Sequence, residues 1–253
     1  MIDFTETHFG NKAPILFMHG LGASSWMWWQ QKAAFADVPL IFVDLPSHGK
    51  SVDTPWVSLA NTADLIAAQV VKNRAVHVVA LSLGGHVALE LSKRHPEKIL
   101  SLFVSGITVR PMHFGFLLKL QSHFVQRGIR NERYLEKMAH DHYHLPADKI
   151  QDFISNYQLL NEETYEAIWK EIIRFQLDDS YGDFRTPCFI AAGDQESRAI
   201  RDSVDIVPQF MPNAIGKLIP GAQHDWPVQQ AVQFNRMLRE WIDQQSEDNG
   251  PKE

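Results

Sequence analysis

The sequence predicts an α/β fold with a mostly parallel central sheet, helices on both faces and a helical cap inserted into the chain. Apolar runs of strand length alternate with stretches whose apolar residues recur at helical spacing, which is typical of βαβ units around a buried parallel sheet. The length of 253 residues is common for a single domain of this class. The predicted strands span residues 15–18, 40–43, 76–81, 100–104, 188–192 and 215–219. The predicted helices of the core span residues 26–35, 59–71, 83–93 and 228–244.

The long stretch between the fourth and fifth predicted strands contains helical patterns only. Apolar and aromatic residues that start at Ile150 follow the spacing i, i+3, i+4, i+7, and those that start at Tyr165 do the same. We therefore expect a helical cap that interrupts the α/β core. The predicted division of the chain is a core at residues 1–110 and 180–245, a cap at 111–179 and a flexible tail at 246–253.

Composition and charge exclude several classes of protein. Hydrophobic residues make up 45% of the chain and charged residues 21%, as in ordinary globular proteins. The formal net charge of -6 gives no basic surface for nucleic acid. The single Cys188 excludes an internal disulfide and a cysteine-based zinc site. No secretory signal pattern and no membrane-spanning apolar run are present, so we expect a cytoplasmic monomer or homodimer that binds neither nucleic acid nor membrane.

Ser82 follows an apolar run and precedes a predicted helix, within the segment Ala80-Leu81-Ser82-Leu83-Gly84. A sharp strand-to-helix turn holds a serine hydroxyl clear of the backbone, and small residues at positions -2 and +2 avoid collisions in that turn. The first N–H groups of the helix would favour a developing oxyanion. The motif alone is equally compatible with a serine that caps the helix.

The segment His19-Gly20-Leu21-Gly22 lies at the carboxyl end of another predicted strand, where open α/β sheets bind their ligands. The backbone N–H groups of Leu21 and Leu83 are the candidates for an oxyanion hole. Taken alone, this segment is a tight βα turn with an incidental histidine.

Asp194 and His224 each come just after a predicted strand. A serine hydroxyl is a weak nucleophile at neutral pH, so an imidazole must accept its proton and a carboxylate must orient that imidazole. The order Ser, Asp, His along the chain is the order of the triad in this type of fold. We therefore predict Ser82 as nucleophile, His224 as general base and Asp194 as the orienting acid.

With these motifs the sequence resembles the α/β-hydrolase superfamily, and within it the small carboxylesterases and lactonases with a helical cap. The similar segments are HGLG at 19–22, DLPSHGKS at 44–51, SLGG at 82–85, GD at 193–194, and His224. The resemblance covers nearly all of the chain except the cap, and it implies a catalytic triad without metal or organic cofactor. The usual GxSxG elbow reads AxSxG here, because Ala80 replaces the first glycine. Asp44 is a rival acid, but it precedes Ser82, and in similar proteins its segment shapes a loop.

Aromatic residues are plentiful near the predicted site and in the cap, and most are expected to pack in the core. Trp26 and Trp169, together with His19, are the candidates for contacts with substrate. His140, His142 and His144 suggest a metal site, but no HExxH pattern accompanies them, and a solvated cap surface is the interpretation we adopt.

The predicted activity is that of a serine hydrolase that cleaves small to medium-sized carboxylic esters through an acyl-enzyme. The same triad hydrolyses lactones, thioesters and some C–C bonds, and the same fold also serves as a non-catalytic small-molecule receptor. The expected partner is a small-molecule ester whose acyl and alcohol parts the sequence leaves open.

Overall fold

A computed structural model describes residues 1–8, 12–112, 125, 127–141 and 143–248. Its strands form a seven-stranded sheet in the order β1-β3-β2-β4-β5-β6-β7, in which β1 pairs antiparallel to β3 and the other pairs are parallel. The strands are β1 Phe4–Thr7, β2 Ile15–Met18, β3 Leu40–Val43, β4 Val76–Leu81, β5 Ile99–Ser105, β6 Cys188–Gly193 and β7 Ala214–Ile219. The predicted fold class is confirmed, and β1 is an addition to the predicted strands.

The α-helices of the described residues are α1 Trp29–Ala34, α2 Leu59–Leu65, α3 Leu83–Arg94, α4 Glu132–Asp141, α5 Ala147–Leu159, α6 Glu162–Ile172, α7 Arg198–Arg201, α8 Ser203–Phe210, α9 Trp226–Gln229 and α10 Ala231–Asp248. Two predicted helices are less regular than expected. A 3-10 turn at Ser25–Trp28 precedes α1, and a π-helical turn at Ile66–Val71 extends α2. No helix in the described part of the chain is both long and apolar enough to cross a membrane.

Successive side chains of a strand point to opposite faces of the sheet, and helices cover both faces, so the side chains on both are buried. Leu16 and Met18 of β2 pack on the face covered by α2 and α3. Ile15 and Phe17 pack on the other face, which the 3-10 turn and α10 cover. The continuous apolar runs of the sequence follow from this two-sided burial.

Among the described residues between β5 and β6, the regular secondary structure is helical and no strand occurs. Helices α4 and α5 share a small apolar cluster that includes Leu135 and Phe153. Helix α6 joins the cap to the core, because Ile168 and Ile172 pack into the main core cluster. The boundaries of cap and core remain predictions.

The last helix, α10, continues to Asp248, four residues beyond its predicted end at 244. Part of the predicted tail is therefore helical, and residues 249–253 lie outside the described part of the chain. Helices α7 and α8, between β6 and β7, were not predicted.

Candidate active site

Ser82 lies at the turn between β4 and α3 with φ 55° and ψ -116°. This conformation is costly for a residue with a side chain, and it is held by flanking hydrogen bonds. The Ser82 N–H donates to the Ser105 carbonyl at 2.9 Å, and the N–H of Gly85 donates to the Ser82 carbonyl at 2.9 Å. A methyl group on Gly84 would lie 2.5 Å from the carbonyl oxygen of Met18, so the position two residues after the serine accepts only glycine. The predicted sharp turn is present.

The two amides predicted for an oxyanion hole belong to different elements. Leu83 is the first residue of α3, and Leu21 lies in the turn that follows β2. This turn is close to the serine, since a methyl group on Gly20 would lie 3.4 Å from Ser82 Cβ. Neither amide donates to another backbone group among the described residues. Both are therefore available to an oxygen atom bound beside Ser82.

His224 follows β7 and is held by a buried carboxylate. Its Nδ1 lies 2.6 Å from Glu196 Oε1, and the side chain of Glu196 is 1% exposed. The other carboxylate oxygen, Oε2, accepts the N–H of Gly193 at 2.6 Å. Glu196 is thus fixed at both oxygens.

The electrostatic surroundings of His224 favour its protonated form. Burial lowers the pKa of the imidazole, but the hydrogen bond to Glu196 and the charges of Asp225 and Glu196 outweigh that effect. The net result is a pKa above the ordinary value of 6.5. The Nδ1–H donates to Glu196, which leaves Nε2 as the ring nitrogen that can accept a proton.

The predicted contact between Asp194 and His224 is wrong. Asp194 Oδ1 accepts hydrogen bonds from Gly221 N and from Gln195 Nε2, each at 2.9 Å. Asp194 therefore ties the end of β6 to the turn before His224. The chain turns back after β6, because Glu196 N donates to the Gly193 carbonyl at 3.1 Å, and this turn brings Glu196 to the imidazole.

Sequence reasoning missed Glu196, although a signal was present. The segment Gly193-Asp194-Gln195-Glu196 holds two carboxylates just after a strand, and either one lies within reach of a neighbouring loop. The direction in which the chain turns after β6 decides which of the two carboxylates reaches His224, and that direction depends on contacts with β7 and Gly221.

The backbone of Gly106, after β5, lies directly against the imidazole. Its φ is 69°, and a Cβ atom there would lie 2.8 Å from His224 Cε1 and 2.9 Å from Nδ1. A side chain at this position would displace the ring from Glu196.

His19 does not contact the cavities beside Ser82, contrary to its prediction as a substrate-binding residue. It is fully buried, its Nδ1 donates to the Gly20 carbonyl at 2.8 Å, and the N–H of Leu45 donates to Nε2 at 2.9 Å. Burial lowers the pKa of His19. This histidine is a neutral crosslink between two loops.

Asp44 stabilises its own loop, as predicted, and also ties this loop to the 3-10 turn that begins at Ser25. Its Oδ1 accepts the N–H of Ser25 at 2.7 Å, and its Oδ2 accepts the N–H of Lys50 at 2.8 Å.

Two cavities meet at Ser82. Cavity A, of about 270 Å³, lies under the cap, and cavity B, of about 710 Å³, lies toward β5 and α7. The residues that line both are Leu21, Ser82, Trp169, His224 and Asp225.

The predicted pocket residues divide between the two cavities. Trp26 lines cavity A, and Trp169 lines both. Ser82 and His224 line the same cavities, but no hydrogen bond joins their side chains. Hydrogen bonds between catalytic groups often become short only when substrate is bound. Cavity B is the more polar of the two, with His86, Gln195 and Gln223 in its wall.

The cap histidines show no metal-binding arrangement where they are described. His140 is exposed and its Nδ1 lies 2.9 Å from Asp141 Oδ1. In the described part of the chain, no group of three or more possible metal-ligating side chains comes together. His142, the middle residue of the predicted set, lies outside that part.

Comparisons with known proteins agree with this architecture. The sequence model of the alpha/beta hydrolase family matches residues 15–237. An AB hydrolase superfamily protein of Gibberella zeae is 35% identical over 131 residues, which are 49% of this chain and 46% of that protein. A pimeloyl-[acyl-carrier protein] methyl ester esterase of Neisseria meningitidis serogroup B is 38% identical over 100 residues, which are 38% of this chain and 37% of that protein. The matched segments thus span less than half of these relatives.

Solved structures extend the similarity to nearly the whole fold. A thermophilic esterase of Thermogutta terrifontis gives a TM-score of 0.76 at 20% identity, over 96% of this chain and 93% of the other. The enol-lactonase of Burkholderia xenovorans LB400 gives 0.75 at 15% identity, over 96% of each chain. At these identities the likeness concerns the fold.

Proposed function

The chain belongs to the alpha/beta hydrolase family, and from this premise we propose that it is a serine hydrolase that cleaves small to medium-sized carboxylic esters through an acyl-enzyme. The observation that carries the proposal is the buried Glu196 carboxylate, 2.6 Å from Nδ1 of the imidazole that shares its cavities with Ser82. This is the pairing that a serine nucleophile requires.

In the proposed reaction, His224 Nε2 accepts the proton of Ser82 Oγ as the oxygen attacks the ester carbonyl carbon. The carbonyl oxygen becomes an oxyanion, which the amides of Leu21 and Leu83 stabilise. When the tetrahedral intermediate collapses, the C–O bond to the alcohol breaks and His224 donates its proton to the leaving oxygen. Water then attacks the acyl-enzyme by the same steps and releases the acid and Ser82.

Glu196 takes the role predicted from the sequence for Asp194. Its carboxylate accepts the Nδ1–H of His224, fixes the tautomer and stabilises the imidazolium. The hydrogen bond from Gly193 N keeps the carboxylate in place during turnover.

The two cavities favour an open-chain ester as substrate. Both adjoin Ser82, so one provides room for the acyl arm and the other for the alcohol arm. The esterase and lactonase names among the similar structures are consistent with acyl transfer at this site.

The proposal is tested by steady-state kinetics on a panel of neutral esters and lactones of graded chain length. We expect turnover of esters by the wild-type protein, and a loss of kcat of about 10⁴-fold or more in Ser82→Ala. Turnover that survives in Ser82→Ala would overturn the assignment of the nucleophile. Exclusive turnover of lactones would overturn the proposed substrate class.

A further inference from the structure

One end of cavity A carries a polar cluster in a mostly apolar wall. The cluster consists of Tyr143, Tyr157 and Asp225, all of which line the cavity. The two phenolic oxygens are 3.3 Å apart, and the Tyr143 side chain is hydrogen-bonded to Asp225. Because Asp225 directly follows His224, the cluster lies next to the reacting groups.

The cluster spans the cap and the core. Tyr157 is on α5 and Tyr143 lies just before that helix, whereas Asp225 lies after β7. The ring of Tyr157 packs on the turn after β2, since a Cβ on Gly22 would lie 3.0 Å from Tyr157 Cε1. Phe153 packs against the rings of both tyrosines, with centroid distances of 5.0 and 4.7 Å. These contacts fix the directions of the two hydroxyl groups.

The remaining wall of cavity A is mostly apolar and contains no lysine or arginine among the described lining residues. Its apolar members include Trp26, Met27, Leu81, Phe153, Leu160 and Val228. Trp26, Trp169 and Tyr165 also line the cavity and add N–H and O–H groups, but Asp225 is the one carboxylate among the described lining residues, so a substituent with hydrogens to donate is expected at the cluster.

The hydrogen-bonding capacity of the cluster is well defined. Burial raises the pKa of Tyr157 to about 12 and the pKa of Tyr143 well above its ordinary value. Both phenols therefore stay protonated, and because Tyr143 donates its one hydrogen to Asp225, the hydrogen of Tyr157 is the one offered to a ligand. The Asp225 carboxylate has about four acceptor positions, so it can accept from a ligand while it holds Tyr143.

On the basis of the proposed function, we infer that Tyr143, Tyr157 and Asp225 form a specificity site for a neutral, hydrogen-bonding group at the end of one arm of the substrate, such as a primary amide. An amide N–H would donate to Asp225, and its carbonyl oxygen would accept the hydrogen of the Tyr157 hydroxyl, which turns from Tyr143 to the ligand. A terminal carboxylate has no hydrogen to donate to Asp225, and its charge is repelled by that residue in a medium of low dielectric constant.

Two matched series of esters test this inference. In the acyl series, benzyl alcohol is esterified with adipamic acid, adipic acid or hexanoic acid, which provide an amide, carboxylate or methyl terminus. In the alcohol series, acetate is esterified to ω-hydroxyhexanamide, ω-hydroxyhexanoic acid or hexanol. In the series whose variable arm enters cavity A, we expect kcat/KM for the amide to exceed that for the carboxylate by about tenfold or more.

Variants separate charge from hydrogen bonding. Asp225→Asn should reduce the difference in kcat/KM between the amide and the carboxylate to within about threefold. Asp152→Asn, at an exposed position, alters the net charge by the same amount and should leave this difference in kcat/KM unchanged. Tyr143→Phe and Tyr157→Phe should lower kcat/KM for the amide-terminated ester relative to the methyl-terminated ester by about three- to tenfold. Tyr134→Phe, at an exposed tyrosine, is the matched control. Thermal unfolding of each variant shows whether it is folded.

Equal kcat/KM for amide and carboxylate in both series of the wild-type protein would overturn the inference. An unchanged preference in a folded Asp225→Asn would do so as well. Calorimetric binding of the same compounds to Ser82→Ala gives a readout without turnover, with the amide expected to bind more tightly than the carboxylate. If the wild-type protein hydrolysed none of the esters, the proposed function would fail, and the binding order would still decide the inference.

Discussion

Glu196 Oε1 lies 2.6 Å from His224 Nδ1, and Glu196 is anchored through its second oxygen to the backbone at the end of β6. The acid and the imidazole are therefore held by two adjacent strand ends, β6 and β7, while Ser82 is held by β4. Because parallel strands align their carboxyl ends at one edge of the sheet, three distant segments of the chain meet there.

The exchange of Glu196 for glutamine should disable the site. Glutamine keeps the size of the side chain but can hold His224 in the wrong tautomer, so we expect kcat on a neutral aryl ester to fall by about 10²- to 10⁴-fold. Asp194→Asn is the matched control, because Asp194 binds Gly221 N and Gln195. It should change kcat by less than about tenfold. If Asp194→Asn lowered kcat more than Glu196→Gln, Asp194 rather than Glu196 would be the acid that orients His224.

The pH dependence of kcat/KM should report the raised pKa of His224. The imidazole acts as a base only when neutral, so activity is lost as the pH falls through its pKa. Since that pKa lies above 6.5, the acid limb should have its midpoint above 6.5. The charge of Asp225 raises the pKa, so Asp225→Asn should move the midpoint to lower pH. A midpoint below 6.5 in the wild-type protein, or an upward shift in the variant, would contradict the assignment.

Gly106→Ala should reduce activity more than it reduces stability. The added methyl group would lie 2.8 Å from His224 Cε1, so the ring must move, and we expect kcat to fall by about tenfold or more. Gly221→Ala is the control, because Gly221 also has φ 69° but no neighbour within 4 Å of the added atom. Both variants should lose about 1 kcal/mol of unfolding free energy through backbone strain. Equal kcat in the two variants would argue against the close contact with the ring.

Asp44→Ala should act on stability, because the carboxylate accepts two backbone N–H groups, one from Lys50 in its own loop and one from Ser25 at the start of the 3-10 turn. Their loss should lower the free energy of unfolding by about 1–3 kcal/mol, measured by denaturant titration. The acid limb of the pH profile should keep its midpoint. A shifted midpoint would instead link Asp44 to His224.

The strands of the sheet were predictable because burial on both faces demands unbroken apolar runs. The runs at 15–18, 40–43 and 76–81 coincide with β2, β3 and β4. β1 was missed because Phe4–Thr7 is a short, mostly polar edge strand with one exposed residue and no fully buried one. Periodicity detects strands that are enclosed, whereas an edge strand depends on its pairing with β3.

The candidate site was predictable in part. The turn at Ser82 has a local signature, because the small residues on either side of the serine are visible in the sequence, although Gly84 is required by the carbonyl of Met18 at the end of β2. The choice of Glu196 over Asp194 has no such signature, because it depends on how the loop after β6 packs against β7. The cluster of Tyr143, Tyr157 and Asp225 was also beyond sequence reasoning, since it joins residues far apart in the chain.

The central claim is that His224 and Glu196 make Ser82 a nucleophile. Its most direct test is mass spectrometry of the protein after reaction with a fluorophosphonate that modifies activated serines. We predict a single adduct on the peptide that contains Ser82, formed much more slowly in Glu196→Gln and absent in His224→Ala. An adduct on another serine, or labelling of Ser82 at the wild-type rate in both variants, would contradict the account.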